Sequence, residues 1–322
     1  MTSILTLRGA VSIARERFAR PEARRMLALT QYVLLATIIV YLFARLSEVG
    51  WRAVAGSFPS SPLFYIIFLV RYFALPLSEI STYKIVWRRP LWRHFPAFIR
   101  KRVYNFAVMG YSGEAFFSLW ARRNLDLSDK EILVGVKDNN LISALASNLA
   151  TAILVFSLFI TGRLVDDFGP LRGASILFGL AFVSSLGLAL AFMVFKRRII
   201  GLPDGVMTKV FAINAARILL MIVLHALLYW SAIPGPELTD WLIFVALHFV
   251  LSRAPLVPNP DIVFLTAALH LASSVNISET VIAGMLVAEA GLSQILNFTL
   301  FAATMHLARW RSRTKALEAP TG

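Results

Sequence analysis

Long apolar stretches dominate the hydrophobic pattern of the chain, and most of them end at basic residues. Six have about the length of a helix that crosses a bilayer, and they lie at residues 26–46, 62–80, 138–160, 174–195, 206–230 and 277–307. Basic clusters follow the second, fourth and last stretches, beginning near Arg88, Lys196 and Arg309. The positive-inside rule therefore predicts that these ends, and both termini, are cytoplasmic.

Two further apolar segments are interrupted. Residues 103–119 contain Gly110, Gly113 and Glu114, and residues 241–271 contain three prolines between positions 255 and 260. Broken backbone at membrane depth is tolerated where protein or a wet cavity covers it, so we predict two re-entrant elements. Each half, residues 26–162 and 174–308, shows a span, a broken element and a long helix. This repeated order is compatible with an inverted repeat, and in a transporter of that kind the substrate site is expected between the two breaks.

Composition excludes a soluble domain. Hydrophobic residues make up 58% of the chain and charged residues 16%, with a mean hydropathy of +0.70, which is too apolar for a water-facing surface. We therefore predict an all-α polytopic protein with a single membrane domain at residues 26–310. The bacterial inner membrane is the expected location.

Charge and cysteine content narrow the function further. The net charge of +14 gathers at the ends of apolar segments, which indicates contact with anionic lipids rather than nucleic acid. Residues 1–25 are predicted to form a basic amphipathic helix on the cytoplasmic leaflet, and residues 311–322 a cytoplasmic tail. A cleaved signal peptide is the alternative for the N-terminus, but the length of residues 26–46 favours an uncleaved span. The absence of cysteine excludes thiolate chemistry, and we expect no cofactor and no metal.

The first break is a candidate headgroup site. Tyr111, Gly113 and Glu114 lie together, with Arg122 about two turns further on. Glycine exposes backbone amides to an anionic group, and a carboxylate inside a membrane usually has a function. The alternative is a packing turn in which Glu114 pairs with a cytoplasmic arginine.

The third full span begins with a polar group, Asp138, Asn139 and Asn140, and Ser143 and Ser147 continue the same helix face. This face could line a path for lipid headgroups. Equally, small polar side chains hold membrane helices together, and for the serines we favour this packing role.

Buried charges in the other spans are also candidates. Arg71 and Arg217 could hold a lipid phosphate by two parallel hydrogen bonds, or pair permanently with Glu79, Asp138 or Glu289. Glu289 lies on a polar stripe of the last span, which must face the protein interior. Further polar candidates occur at the second break, namely Arg253, Asn259 and Asp261. Histidines in such positions, His248 among them, are more often structural than ligands.

With these breaks, the chain resembles the flippase-like membrane domain of the lysylphosphatidylglycerol synthases over roughly residues 31–310. Gly113 and Glu114 match a Gly-Glu motif of that family, although Phe117 occupies the position of its arginine. Residues 258–261 stand where the family has a Pro-Gly-Gly stretch followed by a carboxylate. The resemblance implies movement of lipids such as aminoacylated phosphatidylglycerol or polyprenyl-phosphate-linked sugars. Because about 12 residues follow Trp310, we expect a stand-alone member without the synthase domain.

The expected function is therefore to translocate or present an anionic lipid between leaflets. We expect Glu114, Asp138 and Asp261 as polar gates, and Arg71, Arg122, Arg217 or Arg253 as phosphate partners. One alternative is a membrane-embedded transferase with Asp138 or Glu114 as base. Another is an accessory subunit of a lipid-modifying enzyme, which predicts mutually paired intramembrane charges and no cavity. The sequence is compatible with a homo-oligomer and with a complex with a partner lipid-modifying enzyme.

Overall fold

A computed structural model describes residues 40, 51–107, 112–162, 172–253, 260–272 and 276–317. Within these ranges the chain is helical and has no strand. The predicted first span and the N-terminal amphipathic segment lie outside the described residues, apart from residue 40. In chain order the helices are α1 (Trp51–Gly56), α2 (Pro62–Trp87), α3 (Phe95–Ala107), α4 (Ser112–Asn124), α5 (Asp129–Ile160), α6 (Arg172–Ile199), α7 (Asp204–Ala232), α8 (Leu238–Leu251), α9 (Pro260–Leu271) and α10 (Glu279–Leu317).

Four of these helices, α2, α5, α7 and α10, are long and apolar enough to cross a membrane. Helix α6 covers the fourth predicted span and has a shorter apolar segment, Phe178–Phe192. The chain is thus an all-α polytopic membrane protein, as its hydrophobic pattern predicts.

Local signals set where the long helices begin and end. Ser128 caps α5. Its side chain accepts from the Glu131 backbone amide, and the Glu131 carboxylate accepts from the Ser128 backbone amide. Helix α5 therefore begins at Asp129, earlier than the predicted start at Asp138. Helix α2 begins with Pro62 at a position where no amide is needed. It ends at Trp87, and the next residue, Arg88, adopts the left-handed conformation with φ of 51°.

Helix α7 is central to the bundle. It runs antiparallel to α2, since Arg71 in the first half of α2 contacts His225 in the second half of α7, while Trp87 at the end of α2 donates to the Glu131 carbonyl at the start of α5, a helix that is parallel to α7. It runs parallel to α5, since Asn139 meets Asn214 and Ser143 meets Arg217. The middle of α7 is consequently in contact with polar residues of two neighbouring helices.

Two helical hairpins pack against this bundle. In the first, α3 and α4 pack on the C-terminal half of α2, where Tyr83 lies 4.9 Å from the ring of Phe117. In the second, α8 and α9 pack on the C-terminal half of α7, where Tyr229 lies 5.8 Å from Trp241. Because α2 and α7 are antiparallel, the two hairpins enter the bundle from opposite ends. They correspond to the two broken elements that the sequence predicts.

Candidate functional site

A cavity of about 420 Å³ lies between α2, α3, α7, α8, α9 and α10. Arg217 and His225, which both line it, are eight residues apart on α7, so the cavity extends about 12 Å along that helix. Its charged lining consists of four arginines and two carboxylates, namely Arg71, Arg102, Arg217, Arg253, Asp261 and Glu289. This lining therefore carries an excess of two positive charges.

Arg71 joins three helices at one side of the cavity. It donates to a carboxylate oxygen of Glu289 on α10 and to Nε2 of His225 on α7. A guanidinium has no acceptor atom, so His225 Nε2 must accept this bond and the ring proton is assigned to Nδ1. That Nδ1 is buried and has no partner among the described residues. Arg71 is thus neutralised by Glu289, while His225 holds a buried donor without an acceptor.

Arg217 is held on the opposite side with no counter-ion among the described residues. Its Nη2 donates to Ser143 Oγ at 2.8 Å and to Asn214 Oδ1 at 3.1 Å. Both acceptors are neutral, and within the described ranges no carboxylate forms an ion pair with it. Its Nε is buried and lacks an acceptor there.

Arg253 repeats this arrangement one helical turn away. Its Nη2 donates to Ser147 Oγ, its Nη1 donates to the Phe249 carbonyl at 2.5 Å, and its guanidinium stacks on the Phe249 ring at 4.7 Å. Again no carboxylate of the described chain pairs with it, and its Nε has no acceptor. Because Ser143 and Ser147 are four residues apart on α5, they hold the two guanidinium groups side by side.

Five of the sequence-predicted residues meet in this cavity, namely Arg71, Arg217, Arg253, Asp261 and Glu289. Tyr111 and Asn259 lie outside the described residues. The remaining candidates, Gly113, Glu114, Arg122, Asp138, Asn139 and Asn140, do not line it.

Glu114 belongs to a separate buried cluster around Lys101. Lys101 is 1% exposed, donates to Glu79, and lies 3.5 Å from Glu114. Asn105 also donates to Glu114 at 3.2 Å. Gly113 approaches the same hairpin so closely that an added Cβ would lie 2.1 Å from the Lys101 carbonyl. In these contacts the Gly-Glu pair packs the first turn of α4 against α3.

Asp138 and its neighbours fasten helices to one another. Asp138 Oδ2 accepts from the backbone amides of Gly201 and Leu202 at 2.7 and 2.9 Å, which ties the connection before α7 to α5. Asn139 accepts from Asn214 at 3.3 Å. Asn140 is half-buried on α5. These contacts match the helix-packing alternative for this polar group.

Arg122 lies at the surface. It is 63% exposed at its side chain and pairs with Asp129 at 2.7 Å. This contact links the end of α4 to the start of α5, at a distance from the cavity lining.

Sequence reasoning missed two buried cations of α3. Lys101 and Arg102 belong to the basic cluster after the second span, which the positive-inside rule assigns to the cytoplasmic surface. Instead, Lys101 is buried and Arg102 lines the cavity, with its guanidinium 4.1 Å from the Tyr72 ring. The spacing of Phe98, Lys101 and Arg102 was the available signal, because positions i, i+3 and i+4 share one helix face, which places the two cations on the same face as a buried phenylalanine.

The described residues contain no group of three His, Cys, Asp or Glu side chains that could hold a metal ion. Comparisons with protein-family models, with curated proteins and with solved structures find no match for this chain. Any function must therefore be argued from the chemistry of the cavity itself.

Proposed function

We propose that the protein is a lipid translocase of the bacterial inner membrane, with both termini cytoplasmic. The cavity binds the anionic headgroup of a lipid and moves or presents it between leaflets. One observation carries this proposal: Arg217 and Arg253 line the cavity and neither pairs with a carboxylate of the described residues.

A cation inside a membrane protein is costly unless it meets an anion or water. Here each guanidinium donates to a serine hydroxyl. The Nε atoms of Arg217 and Arg253 have no acceptor in the described part of the chain. Guanidinium groups bind phosphate oxygens by paired, charge-assisted hydrogen bonds. A lipid phosphate would supply both the missing charge and the missing acceptors.

The architecture supports movement as well as binding. The cavity lies along the second half of α7, with one hairpin entering the bundle from each end, and interrupted helices of this kind are typical of transporter sites. We infer that the headgroup passes through the polar cavity while its acyl chains stay in the surrounding lipid.

The two alternatives receive less support. An accessory subunit predicts that the intramembrane charges pair with one another and that no cavity forms, whereas Arg217 and Arg253 have no carboxylate partner and line a cavity. A transferase with Asp138 or Glu114 as base requires these carboxylates near a substrate. Asp138 instead accepts two backbone amides, and Glu114 lies beside Lys101. The resemblance to the flippase-like domain agrees with a translocase.

Proteoliposomes containing a trace of fluorescent phosphatidylglycerol test the proposal. A membrane-impermeant quencher reports how fast the probe moves between leaflets. We expect the protein to accelerate this movement over protein-free vesicles, and the double variant R217Q/R253Q to slow it by about tenfold or more, since each arginine supplies charged hydrogen bonds. K209Q is the control, because Lys209 is an exposed cation of the helix that carries Arg217, so its loss tests the effect of removing a positive charge outside the cavity. A folded double variant that moves the probe at the wild-type rate would refute the proposal.

A further inference from the structure

His225 has no role in the headgroup contacts of Arg217 and Arg253. It is buried, lines the cavity and contacts both members of the Arg71–Glu289 pair. We propose that His225 takes up one proton when the anionic headgroup binds, so that lipid binding and proton binding are coupled. This inference rests on the proposed function, because it adds a proton as a second ligand of the same cavity.

The contacts of His225 place an acceptor where a further proton would go. Arg71 donates to Nε2 of the ring, and a guanidinium cannot accept, so in this arrangement Nε2 carries no proton. The same Nε2 lies 3.5 Å from Oε1 of Glu289. A proton on Nε2 would therefore meet a carboxylate oxygen close to hydrogen-bonding distance, once the Arg71 guanidinium turns away from the ring.

Glu289 can accept from both cations at once. Arg71 contacts Glu289 through Nη2 and His225 through Nη1, so the two bonds use different nitrogens of one guanidinium. Protonation of His225 removes the acceptor of Nη1 alone and leaves the ion pair with Glu289 in place. The released Nη1 then needs a new acceptor, and an anion in the cavity that Arg71 lines can supply one.

Charge couples the proton to the anion. Arg71, Glu289 and a neutral His225 together carry no net charge, and protonation gives this trio one positive charge. A buried charge without a counter-ion is costly, so the neutral ring is favoured when no anion is near. An anionic headgroup removes that cost with its own negative charge. The proton and the headgroup therefore bind as a pair that adds no net charge to the cavity.

The neighbours of His225 agree with the need for an anion. The charged and titratable groups of the cavity lining are Arg71 and Tyr72 of α2, Arg102 of α3, Arg217 and Tyr229 of α7, His248 and Arg253 of α8, Asp261 of α9, and Glu289 of α10. The arginines oppose an extra proton, and the two carboxylates favour it. The ring of His248 lies 5.0 Å from that of His225. Among the described residues, however, His248 forms no hydrogen bond or ion pair with Arg71 or Glu289, so we assign the proton to His225.

Isothermal titration calorimetry of the full chain in detergent tests the coupling, with short-chain phosphatidylglycerol as the probe. We choose the range of about pH 5 to 8, where histidine is the side chain that ordinarily changes charge and the phosphodiester keeps a single negative charge. The binding enthalpy in buffers of different ionisation enthalpy reports proton uptake. We expect up to about one proton per lipid bound. Because the protonated protein binds better, Kd should rise with pH, by up to about tenfold per unit.

Variants connect the proton to His225. In H225Q the amide can still accept from Arg71 and donate to Glu289, but it does not titrate, so we expect binding without proton uptake and with a Kd independent of pH. H270Q is the matched control, because His270 is exposed on α9 and does not line the cavity. We expect H270Q to keep both effects. The wild-type measurement needs no variant, so it stays decisive if H225Q fails to fold.

The outcomes separate this inference from the proposed function. Binding of phosphatidylglycerol by the wild type without proton uptake would overturn the coupling and leave the translocase standing. Uptake that persists in folded H225Q, or that is lost only in H248Q, would overturn the assignment to His225. Absence of binding over the whole pH range would count against the proposed function itself.

Discussion

Arg71 on α2 donates to Glu289 on α10, a residue 218 positions away in the chain. This contact neutralises one arginine of the cavity within the protein itself. Arg217 and Arg253 line the same cavity and instead contact serine hydroxyls. The cavity therefore combines a structural ion pair with two arginines available for a ligand, and the two kinds of arginine should respond differently to substitution.

Removing either partner of the structural pair should destabilise the protein. R71Q or E289Q leaves a buried charge without its partner, which typically costs about 3–5 kcal/mol. The double variant R71Q/E289Q removes both charges, so we expect its loss to be smaller than the sum of the two single losses. Unfolding by denaturant in one detergent measures all three. Strictly additive losses would mean that the two side chains do not act as a pair.

Lys101 should be the most sensitive residue of the first hairpin. K101M leaves the half-buried Glu79 and Glu114 without their cation, whereas E114Q removes only the longer of the two contacts, at 3.5 Å. We expect K101M to lower the unfolding temperature far more than E114Q does. Because Glu114 does not line the cavity, E114Q should also keep lipid movement near the wild-type rate. Loss of lipid movement in a stable E114Q protein would contradict this and would show that Glu114 takes part in transport.

Close backbone approach makes Gly113 intolerant of a side chain. An added Cβ would lie 2.1 Å from the Lys101 carbonyl, whereas one at Gly187 would meet nothing within 4 Å. G113A must displace backbone, at a cost of about 1–3 kcal/mol or more. G187A should be neutral or stabilising by up to about 1 kcal/mol, because alanine favours a helix over glycine. Thermal unfolding of the two variants makes the comparison, and equal stability would contradict the close packing of α3 and α4.

Asp138 should protect the connection between α6 and α7. D138A removes the acceptor of the Gly201 and Leu202 amides, and each amide left without an acceptor costs about 1–3 kcal/mol. Hydrogen exchange measured by mass spectrometry should therefore become faster in the peptide that contains these amides. D129A is the control, because the Arg122–Asp129 pair is exposed and such pairs contribute about 1 kcal/mol or less. Unchanged exchange in D138A would show that the aspartate does not hold this connection.

The sequence predicted the helices well because their signals are local. Apolar length identifies the four long helices, whereas the first predicted span and the residues of both breaks, 108–111 and 254–259, lie outside the described residues. The start of α5 was predicted too late in the chain, because its first turns are polar and give no apolar periodicity. There the capping box of Ser128 and Glu131, rather than the polar group at Asp138, begins the helix.

Partners across helices could not be predicted in the same way. Glu289 was one of three carboxylates proposed for Arg71, and only the packing of α2 against α10 selects it. Lys101 carries the same charge as the exposed Arg88, Arg89 and Arg93 of the same basic cluster. Its burial depends on how α3 folds back against α2, which involves contacts distant in the chain.

The central claim is that Arg217 and Arg253 hold the phosphate of a lipid inside the cavity. Identification of the lipid that remains bound after gentle solubilisation tests it most directly, in the wild type, R217Q/R253Q and K209Q. We predict that the wild type and K209Q retain one class of anionic phospholipid under collisional activation, and that the double variant loses it. Retention of bulk lipids in membrane proportions, equal in all three proteins, would contradict the claim.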